Sequence, residues 1–224
     1  MKIIIATALL AGVATSALAA DLPSRKSAPM PAPVYAPPAF TWTGLYVGAN
    51  GAYGWSNYRG AGGGTFGSPN GGLVGGTVGY NYQIGQFVIG AEDNLDYADL
   101  TKSRSLPGAI STKSRVDAFN TAFLRGGVAF DRALFFVEGG LASADIKNKI
   151  ADPRLVGGAL SQSGWANGYG VGGGLEYAFT NNITARADYV YSHLQDKTYF
   201  GGTPDVVKTG LNVSQVRAGL NYKF

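Results

Sequence analysis

The sequence predicts an all-β protein: an eight-stranded antiparallel up-and-down transmembrane β-barrel. Three observations predict it. Strand-length segments alternate large apolar residues with small or polar ones, the connections between them alternate between short and long, and the last segment ends on the aromatic residue Phe224. Each segment has at least the ~9–11 residues that a tilted strand needs to cross a bilayer.

The composition favours strands over helices and a membrane over water. The chain contains 34 glycines and 12% aromatic residues, and only 14% of its residues are charged, which is low for a soluble domain. Glycine weakens helices, whereas aromatic residues favour strands. Nothing after the N-terminal region approaches 18 consecutive apolar residues, so a helical membrane protein is excluded.

Two further features of the composition exclude function classes. The chain has no cysteine, which excludes disulfides and thiolate metal sites. Its net charge of +4 is small and scattered along the sequence, unlike the clustered Lys and Arg of a nucleic-acid-binding protein. We therefore expect no cofactor, no metal site and no nucleic-acid partner.

Residues 1–19 are typical of a secretory signal peptide. Lys2 is followed by an apolar stretch of roughly a dozen residues, shorter than the ~20 of a spanning helix, and then by the small-residue site Ala17-Leu18-Ala19. We predict cleavage after Ala19, with Ala20 as the second choice.

Residues 20–41 are rich in proline and alanine. They hold six of the ten prolines of the chain, and proline can neither donate to a ladder nor continue a helix. This stretch is predicted to be an extended periplasmic arm, and the barrel is predicted to occupy residues 42–224.

Eight strands are predicted from the alternation, and the connections between them decide which end faces outward. The predicted strands are 42–55, 71–82, 87–97, 116–130, 133–142, 165–179, 183–193 and 209–224. Short turns are predicted at Gln83–Gln86, Asp131–Arg132 and Thr180–Asn182, and long loops near 56–70, 98–115, 143–164 and 194–208. Because bacterial barrels have short periplasmic turns and long extracellular loops, both chain termini are expected on the periplasmic side.

One face of each predicted strand carries the large apolar residues, and the other carries glycine or polar groups. In the first strand Leu45, Val47 and Trp55 share a face, and Gly48 and Asn50 lie on the opposite face. A soluble barrel of lipocalin type, the alternative, would place its large apolar residues inside. The pattern indicates a narrow polar lumen behind a lipid-facing band. Aromatic residues predicted to form its two interfacial girdles are Tyr53, Trp55, Tyr97 and Trp165 outside, and Tyr82, Phe87, Phe130, Phe179, Tyr222 and Phe224 at the periplasm.

The inward faces collect charged residues. The two-residue turn places Arg125 across from Glu138, and the three-residue turn places Glu176 across from Arg186. A buried unpaired charge is costly, so we predict a lumen charge network that fills the interior; a gated or narrow ion pathway is the alternative. Its predicted members are Arg125, Glu138, Glu176, Arg186, Asp188 and Arg217, with Glu92 and Asp96 nearer the extracellular surface.

Catalysis is not expected from this sequence. The sole histidine, His193, follows Ser192 in a predicted strand. Adjacent strand residues point to opposite faces, so these two side chains would not form a nucleophile–base pair without a bend. No residues are assigned to a catalytic site.

The sequence resembles the small outer-membrane β-barrel family that includes the outer-membrane immunogenic proteins of alphaproteobacteria. The matching pieces are Trp-Thr-Gly-Leu-Tyr-Val-Gly at 42–48, Gly-Gly-Gly-Leu-Glu-Tyr-Ala-Phe-Thr at 172–180, Ala-Arg-Ala-Asp-Tyr at 185–189 and Asn-Tyr-Lys-Phe at 221–224. The resemblance implies an OmpA-like barrel in the outer membrane of a Gram-negative cell, with a role in envelope integrity or as a surface antigen and no enzymatic activity.

The resemblance also implies partners. Outer-membrane lipids and lipopolysaccharide would surround the barrel, and the outer-membrane assembly machinery would read the terminal aromatic signal of Phe224, Tyr222 and Leu220. A narrow porin-like channel or a surface receptor for a small ligand such as haem is the alternative function. Some relatives are reported to bind haem, but no haem-binding motif is matched here.

Overall fold

Eight antiparallel strands form one closed ring in the computed structural model, which describes residues 40–60, 65–153, 158–199 and 207–224. Each strand pairs with the next in the chain, and β1 pairs with β8 to close the barrel. The fold class predicted from the sequence is confirmed. The strands are β1 (Gly44–Tyr58), β2 (Asn70–Ile84), β3 (Phe87–Leu106), β4 (Ile110–Phe130), β5 (Ala133–Ala151), β6 (Ala159–Ala178), β7 (Ile183–Tyr199) and β8 (Val207–Lys223).

The N-terminal predictions fall mostly on residues that are not described. The predicted signal peptide at 1–19 lies outside the described residues, as does the predicted arm at 20–41 apart from its last two positions. Across the four described ranges, no helix is long and apolar enough to cross a membrane.

The short turns lie where the sequence places them. Phe130 pairs with Ala133 around the turn at Asp131–Arg132, and Asp131 adopts a positive φ of 52°, which aspartate tolerates better than most residues because its short side chain bonds locally. Ile84 pairs with Phe87, so the first short turn is a two-residue hairpin.

At the opposite end the strands run further than predicted. β3 and β4 remain paired up to Leu106 and Ile110, so the stretch 98–115, predicted as a long loop, is mostly a hairpin. The prediction followed outward-facing apolar residues, and that signal stops where the strands leave the lipid. Pairing continues because backbone hydrogen bonds do not depend on the apolar signal.

The two faces of the barrel follow the predicted alternation. Leu45 and Val47 are exposed on the outside, whereas Tyr46 between them is buried in the lumen. The same holds in β3, where Leu95 is exposed and Asp96 is buried. Every aromatic residue predicted for the two girdles is exposed on the outer surface, as expected for residues at a membrane interface.

Three layers of buried side chains fill the lumen. The mouth cluster, at the periplasmic end, comprises Trp42, Val88, Ala129, Leu134, Phe136 and Ala178. The upper cluster, at the extracellular end, comprises Tyr58, Phe66, Leu73, Ala98, Leu100, Val116, Phe119, Ala142, Ala144, Ile146, Ile150, Ala166, Leu194, Leu211 and Val213. The inward positions of β3 pass from Val88 through Glu92 and Asp96 to Leu100, so a charged layer separates the two apolar clusters.

Candidate functional site in the barrel lumen

The charged layer contains the eight residues predicted for the lumen network. They come from β3 to β8, and each is at most 5% exposed. Strand alternation accounts for this placement, because each sits on the face opposite the lipid-facing residues. The members are Glu92 and Asp96 on β3, Arg125 on β4, Glu138 on β5, Glu176 on β6, Arg186 and Asp188 on β7, and Arg217 on β8.

Glu92 is the centre of one half of this layer. Its Oε2 atom lies 2.5 Å from Nη1 of Arg186 and 3.4 Å from Nη1 of Arg125. The Tyr46 hydroxyl donates to the same oxygen at 2.7 Å, and the Asn94 amide donates to Oε1 at 2.8 Å. The expectation that Glu92 lies nearer the extracellular surface is therefore wrong. Strand tilt and stagger bring this position of β3 level with Arg186 on β7.

Asp188 and Glu138 form the other half with two arginines. Arg217 donates from Nε to Asp188 at 2.7 Å and from Nη2 to Glu138 at 2.6 Å. Arg186 contacts the remaining oxygens of the same two carboxylates, at 3.0 Å and 3.5 Å. Each carboxylate is thus shared between two guanidinium groups, an arrangement that suits the planar fork of arginine.

Glu176 links the layer to the periplasmic side. Its Oε2 atom accepts from Nη2 of Arg125 at 2.9 Å, while Oε1 accepts from the Thr184 hydroxyl and from the Asn221 amide at 2.9 Å. Hydrogen bonds to both oxygens compensate much of the cost of burying this carboxylate.

The register agrees with the cross-strand positions predicted from the two turns, but the ion pairs do not follow the register. Arg125 stands opposite Glu138, and Glu176 stands opposite Arg186, as predicted. No ion pair joins either couple among the described residues, because the side chains reach across the lumen: Arg125 pairs with Glu92 and Glu176 instead. In an eight-stranded barrel the lumen is narrow enough for an arginine to contact a strand that is not its neighbour.

Asp96 lies between the charged layer and the upper cluster. It is 1% exposed, and neither of its carboxylate oxygens accepts a hydrogen bond within the described part of the chain. The layer holds five carboxylates and three guanidiniums, and Asp96 is the carboxylate without an ion-pair partner among the described residues. Its position toward the extracellular side agrees with the expectation.

Phe136 is the mouth-cluster residue that borders the charged layer. The guanidinium carbon of Arg125 lies 4.0 Å from the centre of its ring, and that of Arg186 lies 5.3 Å away. Both arginines therefore have an aromatic face on one side, which stabilises a desolvated cation.

Trp42 closes the periplasmic mouth, a role that the sequence prediction missed. The prediction placed it in the first strand, but β1 begins at Gly44. Gly44 has a φ of 145°, a conformation that favours glycine, and the preceding residues turn beneath the barrel. Trp42 is 1% exposed, and its indole nitrogen donates to the carbonyl of Asp131. The Trp-Thr-Gly sequence was the available signal.

Phe66 closes the extracellular end, and it was also missed. It belongs to the connection near 56–70, predicted as a surface loop, yet it is fully buried and packs on Tyr58 with ring centroids 5.3 Å apart. The Tyr58 hydroxyl bonds to Ser114 at 2.6 Å and to Asn148 at 3.0 Å. The signal was a lone phenylalanine in a glycine-rich loop.

The predicted assembly signal lies on the lipid-facing surface. Phe224, Tyr222 and Leu220 are all exposed on the outside of β8, and the backbone amide of Phe224 donates to the carbonyl of Leu45 in β1. The terminal residue is thus part of the seam that closes the ring. Its recognition by an assembly machinery stays a prediction.

Ser192 and His193 occupy opposite faces of β7. Ser192 is buried in the lumen, whereas His193 faces outward, where its ring stacks on Tyr169 and contacts Arg59. The two side chains are not arranged as a nucleophile and its base. In the described ranges, no group of His, Cys, Asp or Glu is placed to hold a metal ion.

A closed antiparallel ring with an apolar outer band and a charged interior defines the class of transmembrane β-barrels. The chain belongs to the outer membrane protein beta-barrel domain family, whose model matches residues 5–224. It is a protein of the outer membrane.

Curated relatives cover most or all of the chain. The 31 kDa outer-membrane immunogenic protein of Brucella melitensis biotype 1 is 34% identical, with all of both chains aligned. The 25 kDa outer-membrane immunogenic protein of Brucella canis is 30% identical over all of this chain and 98% of the relative. The 22 kDa outer membrane protein of Rhizobium leguminosarum bv. viciae is 34% identical over 84% of this chain and 80% of its own.

Among solved structures, the attachment invasion locus protein Ail of Yersinia pestis is similar in fold. The two structures align over 81% of this chain and 99% of Ail, with a TM-score of 0.49 and 15% sequence identity.

Proposed function

We propose that this protein is a closed structural barrel that contributes to outer-membrane integrity and displays its extracellular segments at the cell surface. The observation that carries the proposal is the filled lumen: the mouth cluster, the charged layer and the upper cluster succeed one another along the barrel axis. An eight-stranded barrel has an interior just wide enough for side chains.

The charged layer supports a structural role because it ties together strands that are not neighbours. Arg125 of β4 binds Glu176 of β6, and Arg217 of β8 binds Glu138 of β5. Arg186 of β7 reaches Glu92 of β3, on the other side of the ring. Backbone pairing alone joins only adjacent strands, so these charge-assisted contacts brace the cross-section of the barrel.

Surface display is supported by the relatives. Those from Brucella are named outer-membrane immunogenic proteins, and the strands of this chain extend beyond the lipid-facing band on the extracellular side. We also propose that the protein is not an enzyme, because its sole histidine faces away from the neighbouring serine, and that the assembly machinery reads the terminal strand through Phe224.

The filled lumen argues against the narrow porin-like channel. A surface receptor for a small ligand such as haem has no supporting observation in the described part of the chain.

Single-channel recording in planar bilayers tests the closed lumen. We expect no large, stable openings from the wild-type protein. The Trp42→Gly variant removes only the side chain that closes the periplasmic mouth. Its lumen is expected to stay closed as well, because the charged layer and the upper cluster remain. Large stable openings of the wild type would overturn the proposal.

The envelope role needs a measurement in cells. A strain lacking the protein is expected to take up an apolar fluorescent dye faster and to become more sensitive to detergent, and the wild-type gene should restore both. Unchanged dye uptake and detergent sensitivity in the deletion strain would contradict a role in envelope integrity.

A further inference from the structure

Four cationic side chains stand together on the outer surface of β4 and β5. Lys113 and Arg115 belong to β4, and Lys147 and Lys149 belong to β5. In the strand register Lys113 lies directly opposite Lys149, and Arg115 lies directly opposite Lys147. We name these four residues the cation patch. They form two pairs that lie far apart in the sequence, and the register brings the two pairs together.

Two like-charged pairs placed directly across a strand pair are unfavourable. Asp117 offsets one of them, since its two oxygens lie 2.5 Å from Arg115 and 2.5 Å from Lys147. Lys113 and Lys149 have no ion pair with any described residue. The pair formed by these two lysines therefore lacks the counter-charge that would stabilise it.

Two cavities adjoin these lysines. A cavity of about 210 Å³ is lined by the cation patch and Asp117. A second cavity of about 390 Å³ is also lined by Lys113 and Lys149, and it adds the hydroxyl groups of Ser103 and Ser111. Ammonium and hydroxyl donors around an open cavity suit an anionic group carried on a sugar.

The patch lies directly beyond the lipid-facing band. A guanidinium nitrogen of Arg115 donates to the hydroxyl of Tyr97 at 3.1 Å, and Tyr97 belongs to the extracellular aromatic girdle. On β5, Asp145 pairs in register with the girdle residue Trp165, and Lys147 is the next outward position toward the extracellular end. The cations are thus at the level of the polar headgroup region that flanks the hydrocarbon core.

We propose that the cation patch binds the anionic groups of lipopolysaccharide in the outer leaflet. Lys113 and Lys149 supply the unpaired positive charge, and Asp117 holds Arg115 and Lys147 in position beside them. A bound lipid anion would remove the repulsion between the two lysines. The occupant is a membrane lipid because the patch faces outward from the wall, next to the lipid band, where a lipid headgroup is the neighbouring anion. The inference extends the proposed structural role to a particular lipid, and its failure would leave the closed lumen untouched.

A binding measurement with matched variants tests the site. Purified full-length protein, folded in zwitterionic detergent micelles, is titrated with lipopolysaccharide, and heat-modifiable gel migration verifies that each variant is folded. Lys113→Gln with Lys149→Gln is expected to weaken binding about tenfold or more. Lys102→Gln with Lys208→Gln removes the same charge from exposed lysines outside the patch, and binding should stay within twofold of the wild type. Equal weakening by both pairs would overturn the site in favour of general charge attraction.

Inorganic phosphate distinguishes a lipid from a free ion. Phosphate at low millimolar concentration is expected to leave lipopolysaccharide binding unchanged, because a single soluble anion lacks the lipid contacts. Displacement of the lipid by phosphate at that concentration would overturn the assignment to lipopolysaccharide.

Reversing one charge provides a second readout. Lys113→Glu turns a like-charged cross-strand pair into an opposite one, so without lipopolysaccharide the thermal midpoint should rise by about 1–3 °C. The same variant should lose the additional stabilisation that lipopolysaccharide gives the wild type. A lower midpoint together with full retention of that stabilisation would contradict the proposal.

Discussion

The upper cluster and the charged layer fill the same lumen with opposite chemistry. In the upper part of β4, Val116 faces the lumen while Lys113 and Arg115 face outward. Lower in the same strand the order is reversed, since Arg125 faces the lumen and Leu124 faces outward. At its extracellular end β4 thus has the residue pattern of a sheet in a soluble protein, with apolar residues inside and charged residues outside. Lower down it has the opposite pattern, which is that of a membrane strand.

The environment outside the wall accounts for this reversal. Where water or polar headgroups surround the barrel, the burial of apolar residues inside is the available driving force. Where lipid surrounds it, an apolar residue gains little by turning inward, and the interior can hold polar groups if they satisfy one another. Between Val116 and Ala118, β4 also has a register shift, which moves the inward positions by one residue. The two regions should therefore respond differently to mutation.

The largest loss of stability is expected from Glu92→Gln. The change keeps the shape of the side chain but removes the charge shared by Arg125 and Arg186, and it replaces one accepting oxygen with an NH2 group among other hydrogen-bond donors. We expect the free energy of unfolding to fall by about 3–5 kcal/mol, measured by urea titration in lipid vesicles. Asp93→Asn, the neighbour on the outer face, is the matched control: its partner is the amide of Asn120 rather than an arginine, so the change should cost less than about 1 kcal/mol. A loss from Glu92→Gln as small as that of the control would show that the layer does not brace the barrel.

A somewhat smaller loss is expected from Leu100→Ala in the upper cluster. Leu100 is 1% exposed, so its truncation leaves a cavity and should cost about 2–4 kcal/mol. Leu124→Ala, on the lipid face, is expected to cost less because lipid tails fill the vacated space. Equal losses in vesicles would contradict the description of the upper cluster as a close-packed core.

The sequence was sufficient to predict the closed barrel and which side of each strand faces the lumen. It was not sufficient to predict which residues fill the two ends of the barrel. Strand alternation and turn length predict which side each of Glu92, Arg125 and Arg186 faces, because these are local properties of the chain. The positions that face each other within single hairpins are confirmed. Ion pairs across the lumen depend on the tilt and stagger of the whole barrel, so their partners could not be predicted from single hairpins. Trp42 and Phe66 lie outside strands, where alternation gives no indication of direction.

The cation patch could not be predicted from the sequence either. Each of its residues looks like an ordinary surface charge in the sequence. Lys113 meets Lys149 only because β4 and β5 stay paired far beyond the segments predicted as strands. Long-range register in polar hairpins has no apolar signal that a single sequence could reveal.

A gain in stability is expected from Asp96→Asn. This carboxylate lies at the border of the two regions without a hydrogen-bond donor in the described part of the chain, and burying an unsatisfied charge is unfavourable. Replacing it with a neutral amide of the same size should raise the free energy of unfolding by about 1–2 kcal/mol, again by urea titration in vesicles. Asp188→Asn, which breaks two contacts to arginines, should destabilise the barrel under the same conditions. A loss from both substitutions would place Asp96 in the braced network after all.

The smallest effect on stability is expected at the extracellular rim of the barrel, where Asp196 forms an ion pair with Arg59 at 2.7 Å. The hydrogen bond from Arg59 lowers the pKa of Asp196 below its ordinary value of 3.8. A lowered folded-state pKa means that the contact contributes fully above the unfolded value and is lost as the pH falls through the folded one. Protection of the Arg59 amide, which donates to the Gly210 carbonyl, should therefore decrease as the pH falls from about 5 to below about 4, once intrinsic exchange is corrected. Asp196→Asn should show the reduced protection at every pH, with the Ser56 amide as the internal reference. Because the pair is exposed, the barrel itself should stay folded throughout, and a global loss of protection in this variant would show that the rim and the lumen are coupled.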